Sequence, residues 1–139
     1  MSTDPATLNA LASEVEAGTG PDRELDARIE DTIGPSSEYP GLHLLGGFTA
    51  GRKAWLLEFS PRYTASADAA LGLMEQALPG WSYCLQQSFS GRPTAWLYDP
   101  DEDYDEELPM PSFPARGDAP TLPLAIVAAV LRAAARGEG

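Results

Sequence analysis

The sequence holds one histidine, His43, and one cysteine, Cys84, so a Cys/His nucleophilic pair would have to be these two residues, and serine chemistry would need His43 as its base. A structural zinc site needs more thiolate and imidazole ligands than this pair supplies, and one cysteine cannot form a disulfide within the chain. No neighbour in sequence prepares Cys84 as a nucleophile, and no Gly-x-Ser-x-Gly elbow offers a serine nucleophile. Gly46-Gly47-Phe48-Thr49-Ala50-Gly51-Arg52-Lys53 approaches a phosphate-binding loop, but Arg52 stands where lysine is needed and Lys53 where the magnesium-binding hydroxyl is needed. It reads as a hairpin loop displaying Arg52 and Lys53. Asp99, Asp101, Asp103 and Asp105 alternate like the start of a calcium loop. Tyr104 replaces the glycine of its sharp turn and Met110 its closing glutamate, which excludes an EF-hand. No metal and no cofactor is expected.

Two constellations remain as candidate binding residues. The first is the acidic run Asp99, Asp101, Asp103, Asp105, Glu106 and Glu107, whose spaced carboxylates can imitate the charge ladder of a nucleic-acid backbone. The second is a ligand-binding set of Arg52, Lys53, Arg62, Tyr63, Arg92 and Trp96, where an aromatic ring would stack on a nucleobase and a guanidinium would meet its phosphate. The 139 residues carry 21 acids against nine bases, a formal net charge of -12. Such a surface repels phosphate backbones and anionic lipid, so direct nucleic-acid or membrane binding is disfavoured and a basic protein surface is the expected partner.

The elements that must position these residues follow from pattern. Asp4 and Pro5 open a short helix with Leu8, Leu11, Ala12 and Val15 on one face. A second helix runs from Asp22 to Ile33 on a seam of Leu25, Ile29 and Ile33, with Glu24 and Arg28 on the wet side, and Gly34-Pro35 ends it. Leu42 to Leu45 and Trp55 to Phe59 read as strands, the second rich in aromatic and apolar residues. Ser66 caps a third helix, with Ala70, Leu71 and Met74 buried, and Pro79-Gly80 terminates it. Trp81 to Phe89 alternates with period two and pairs through a Ser90-Gly91-Arg92-Pro93 turn with Thr94 to Tyr98. Cys84 falls on the small-residue side of that strand as a half-buried, inert thiol. A last helix over 121–136 is apolar on both sides, so it must be buried against the sheet or in a homo-oligomer.

These patterns give an α+β fold: an antiparallel sheet of three to four strands packed with about four helices. A single domain is expected over 1–139, made of a helical part 4–34, a sheet and helix core 42–99, an acidic and Pro-rich loop 99–120 and the helix 121–136. The longest apolar stretch, Leu122 to Leu131, is too short to cross a bilayer and the N-terminus shows no signal peptide, so a cytoplasmic location is expected.

Asp22-Arg23-Glu24-Leu25-Asp26-Ala27-Arg28-Ile29, Tyr63-Thr64-Ala65-Ser66-Ala67-Asp68-Ala69-Ala70-Leu71 and Pro79-Gly80-Trp81 together resemble the phage ABA sandwich domain family, and the stretch from Ala119 to Ala133 is similar to its closing helix. The resemblance covers about half the chain. It implies a small α/β sandwich carried by phages, prophages and related bacterial loci, with no catalytic residues to carry over. The segment Tyr39 to Phe59 and the acidic loop depart from that pattern, and a specific role would reside there. The expectation is a non-catalytic phage accessory protein that binds a basic host protein, an anti-defence inhibitor using its acidic loop as nucleic-acid mimic. The alternatives are a sponge for a nucleotide signal and a structural or assembly protein.

Overall fold

A computed structural model describes residues 4–34, 49–87, 91–100 and 115–138. Five helices and one three-stranded antiparallel sheet are present among them, so the α+β class holds. In chain order they are α1 (Pro5–Glu16), α2 (Arg23–Ile33), α3 (Thr49–Phe59), α4 (Ala67–Ala77), β1 (Ser82–Gln87), β2 (Pro93–Tyr98), β3 (Ala115–Asp118) and α5 (Leu122–Glu138).

Local chemistry sets the helix starts. Asp4 accepts from the Thr7 N–H with Pro5 at the first helical position, Asp22 accepts from the N–H groups of Glu24 and Leu25, and Ser66 accepts from that of Ala69. Each cap satisfies donors that the first turn leaves without a helical acceptor. Leu8, Leu11, Ala12 and Val15 of α1 are buried, as their spacing requires. Gly80, at φ +84°, turns the chain from α4 into the sheet.

The sheet order is β1-β2-β3, with Ser82 opposite Tyr98, Gln87 opposite Pro93, Thr94 opposite Asp118 and Leu97 opposite Ala115. Strand alternation sends Ala95, Leu97 and Ala115 to one face, where all three are buried, and Trp96, Arg116 and Asp118 to the other. Against the buried face lies α5. Every residue from Leu124 to Leu131 is fully buried, enclosed by α1, α4, β2 and β3 of the same chain. The helix that is apolar on both sides is therefore the centre of this domain's core, and its burial needs no second chain. Gly117 makes the fit possible: a Cβ there would lie 1.9 Å from the Ala125 carbonyl oxygen and 2.7 Å from the Ala129 nitrogen. Only hydrogen fits in that space.

Two elements differ from the sequence expectation. Trp55 to Phe59, expected as a strand, forms the last turns of α3, and the hairpin loop expected over 46–53 is helical from Thr49. The Trp55 and Phe59 rings meet one turn apart, centroids 5.6 Å apart, a contact that a strand cannot make between residues i and i+4. Arg23 fixes the end of this helix: its guanidinium donates to the Leu57 oxygen at 2.9 Å and to the Glu58 oxygen at 3.3 Å, carbonyls left over at a C-terminus. β3 lies inside the stretch expected as a Pro-rich connection. The expected strand at Leu42 to Leu45 lies outside the described residues.

Candidate functional site

Chemistry-bearing side chains gather in three places. The first is a buried polar cluster between α2 and the turn before α4. Asp26, 1% exposed, and Glu30, 3% exposed, sit one turn apart on α2, on the same face as Ile29 and Ile33. The Asp26 carboxylate accepts from the Thr64 N–H and hydroxyl, both at 2.8 Å, and from Arg23 at 2.8 Å. The Thr64 oxygen in turn accepts from the Asp22 N–H at 2.8 Å. Tyr63, 3% exposed, donates its phenol proton to Glu30 at 2.7 Å. Burial, that hydrogen bond and the charges of Glu30 and Asp26 push the Tyr63 pKa far above its ordinary value. Tyr63 therefore keeps its proton, and the cluster's hydrogen bonds position α2, α3 and the turn before α4. The carboxylates are already committed as acceptors, so as placed they serve the fold.

The second constellation joins α1, α5 and the outer edge of β3. Glu16 faces Arg132 in a two-pronged ion pair, with Arg132 Nη1 2.6 Å from Glu16 Oε2. Glu16 also accepts from the Asp118 N–H at 2.8 Å, and Arg132 donates to the Arg116 carbonyl at 2.8 Å. Burial opposes ionisation of Glu16, but the bonds from Arg132 and Asp118 together with the Arg132 charge outweigh it and lower its pKa. Its hydrogen bond to Glu16 raises the pKa of Arg132 against the desolvation that burial imposes.

The third lies on the sheet face turned away from α5. The Arg116 guanidinium carbon stands 4.8 Å from the Trp96 ring centroid, a cation–π contact. Asp118 accepts from Arg92 at 2.8 Å and from Arg116 at 3.3 Å. The Arg92 hydrogen bond and charge, aided by Arg116, hold the Asp118 carboxyl below its ordinary pKa despite some desolvation. Cys84, opposite Trp96 in the ladder, is exposed, where a half-buried thiol was expected.

The structure splits the proposed ligand set. Arg92 and Trp96 share this outer face, whereas Tyr63 is a core residue bonded to Glu30 and the neighbouring Arg62 is exposed. Arg52 and Lys53 belong to α3, but their side chains lie outside the described residues. So do His43 and the acidic residues Asp101, Asp103, Asp105, Glu106 and Glu107, while Asp99 follows β2 and is partly exposed. Two shallow recesses flank the Arg28–Glu14 ion pair between α1 and α2. One, of about 300 Å³, is lined by Glu14, Asp22 and Glu24 with Arg28; the other, of about 350 Å³, by Thr7, Arg28, Asp31 and Thr32. Among the described residues no group of three or more metal-ligating side chains converges, and no helix is long and apolar enough to cross a membrane.

Sequence reasoning missed Asp26, Glu30, Glu16, Arg132, Arg116 and Asp118. For Asp26 and Glu30 the signal exists: with Ile29 and Ile33 they form one helical face at spacings of three and four, so they had to be buried with it. Arg116 and Asp118 carry no such signal, because a four-residue strand is too short for alternation to stand out. No family model, curated protein or solved structure matches the chain.

Proposed function

We propose that this chain is a non-catalytic acidic binding protein whose partner is a basic protein surface, of the kind that holds nucleic acid in a host protein. An anti-defence inhibitor of a phage or prophage is the corresponding biological role. The observation that carries the reading is the charge: a net -12, with seven acids among the nine residues from 99 to 107. The placement of the bases sharpens it. Arg23, Arg28, Arg92, Arg116 and Arg132 are all held by carboxylates of the same chain, so at least five of the nine cations are engaged internally. The outward field is negative, and it steers a basic partner while excluding nucleic acid itself. The buried carboxylates support the non-catalytic half of the reading, since Asp26 and Glu30 are occupied in holding helices together. A nucleotide sponge has less support, because Arg92 already spends its charge on Asp118 and Tyr63 is enclosed in the core.

The test is capture of basic nucleic-acid-binding host proteins on the immobilised chain, with each captured protein identified and its affinity measured between 50 and 200 mM salt (about the range over which phosphate-mimicking contacts respond strongly). Changing Asp101, Asp103 and Asp105 together to Asn should slow association by about tenfold or more, and nucleic acid should compete with the chain for the same partner. Unchanged binding by the triple variant overturns the role of the acidic run. Binding that ignores salt overturns the electrostatic reading as a whole.

A further inference from the structure

The sheet has two edges, and they are finished differently. On β3 the outward backbone groups are those of Arg116 and Asp118: the Arg116 carbonyl is taken by Arg132 and the Asp118 N–H by Glu16. That ion pair closes the edge. Antiparallel ladders alternate, so Ala115 and Gly117 must bond inward to Leu97 and Ala95 of β2. It follows that Thr94, Trp96 and Tyr98 of β2 bond toward β1, meeting Gln86, Cys84 and Ser82. The N–H and C=O groups of Tyr83, Leu85 and Gln87 therefore point away from the sheet.

Among the described residues no strand pairs with that second edge. Natural edges are defended by charges, prolines or bulges. β1 has none of these: Ser82–Gln87 contains no charged residue and no proline, and its register with β2 runs unbroken from Ser82–Tyr98 to Gln87–Pro93. Tyr83, Cys84, Gln86 and Gln87 are exposed, and Tyr83, at 47% exposure, is one of two large apolar side chains left open on the molecule's described surface. Pro93 sits where it costs β1 nothing, because position 93 faces β3 in the alternation.

We propose that the Tyr83, Leu85 and Gln87 edge of β1 receives an extended segment of a basic partner as a fourth strand of the sheet. This rests on the basic-partner reading above and names how that partner is held. Charge complementarity selects the occupant: the strand is neutral inside a molecule of net charge -12, so a lysine- or arginine-bearing segment gains from the field while its backbone pairs. A second copy of this chain is the wrong occupant. Pairing β1 with itself brings together two molecules that each carry a net charge of -12, and that repulsion opposes the pairing.

The experiment uses the full chain and a ten-residue peptide alternating lysine and valine, titrated by calorimetry and by amide exchange. Before addition, the Tyr83 and Leu85 amides should exchange faster than those of Cys84 and Gln86. On binding, the Tyr83, Leu85 and Gln87 amides should slow, and N-methylation of alternate peptide amides should weaken binding by about tenfold or more. Tyr83→Pro removes one outward donor without breaking the β1–β2 ladder, so it should weaken binding by about tenfold while the unfolding midpoint stays near wild type. Equal binding of the methylated and unmethylated peptides, or protection elsewhere, overturns the edge while leaving the charge reading standing. Equal binding of a peptide with glutamate in place of lysine overturns the basic-partner reading and leaves strand addition intact. A salt-stable dimer that Tyr83→Pro dissolves overturns the choice of occupant.

Discussion

Replacing Gly117 by alanine tests the central packing of this fold. The added methyl carbon would sit 1.9 Å from the Ala125 oxygen, 2.7 Å from the Ala129 nitrogen and 2.9 Å from the Ala125 carbonyl carbon. All three are backbone atoms of α5, so no side chain can rotate out of the way. Ordinary contact requires about 3.5 Å, so β3 and α5 must part by roughly 1.5 Å. That movement loosens residues that are fully buried from Leu124 to Leu131. Overpacking of this kind costs about 1–3 kcal/mol, and the rigid neighbours place it at the upper end. Loss of glycine's freedom in the unfolded chain returns roughly 0.4–1 kcal/mol, for a net destabilisation of about 2 kcal/mol. Gly72→Ala is the matched control, since Gly72 lies exposed inside α4 with nothing within 4 Å of its added methyl. It should stabilise by ~0.5–1 kcal/mol. In urea, with a slope of about 1–3 kcal/mol per molar, the two variants should move the midpoint in opposite directions, Gly117→Ala downward by roughly 1 M. A Gly117→Ala midpoint equal to or above wild type refutes the close approach of β3 to α5.

Asp26→Ala leaves the buried Thr64 N–H without its acceptor and removes one of the partners of the Arg23 guanidinium, and it should cost about 1–3 kcal/mol by thermal unfolding, with Asp26→Asn costing less; an unchanged midpoint would show that the cluster does not hold α2 to the turn before α4. Glu16 and Asp118 have lowered pKa values in the folded chain, so the stability they add is complete above the ordinary carboxyl values of 4.5 and 3.8 and is lost as pH falls through their folded values. The urea midpoint should therefore fall below about pH 4.5, and Glu16→Gln should flatten part of that fall; a variant with the wild-type acid profile would remove Glu16 from the account.

Much of the fold is legible where local chemistry and burial agree. Asp4-Pro5, Asp22 and Ser66 mark helix starts by their caps, and the Trp81 to Tyr98 stretch marks a hairpin by alternation, found as Ser82–Gln87 and Pro93–Tyr98 among the described residues. The failures have physical causes. Trp55-Leu56-Leu57-Glu58-Phe59 has the composition of a strand, but α3, whose described side chains include one buried residue, Leu56, packs on α2 and is closed by Arg23 from another helix, a partner no local window contains. Ala115-Arg116-Gly117-Asp118 has almost no strand propensity; it is extended because α5 demands a glycine and the Glu16–Arg132 pair demands its backbone groups. The candidate site divides the same way. Charge is visible in composition, whereas Tyr63 looks like a stacking platform and turns out to be enclosed, since its fate depends on Glu30, 33 residues earlier. The open edge of β1 is invisible in sequence because it depends on which strand lies beside it.

α5, which follows the other described elements along the chain, occupies the middle of the core, with α1 laid along it. α1, α4, β2 and β3 therefore have no finished surface to settle on until α5 is made, whereas α2 and α3 cover each other. Maturation of this domain is thus governed by its C-terminal end. Deletion of the α5 residues from Leu124 onward should yield a chain that collapses or is degraded.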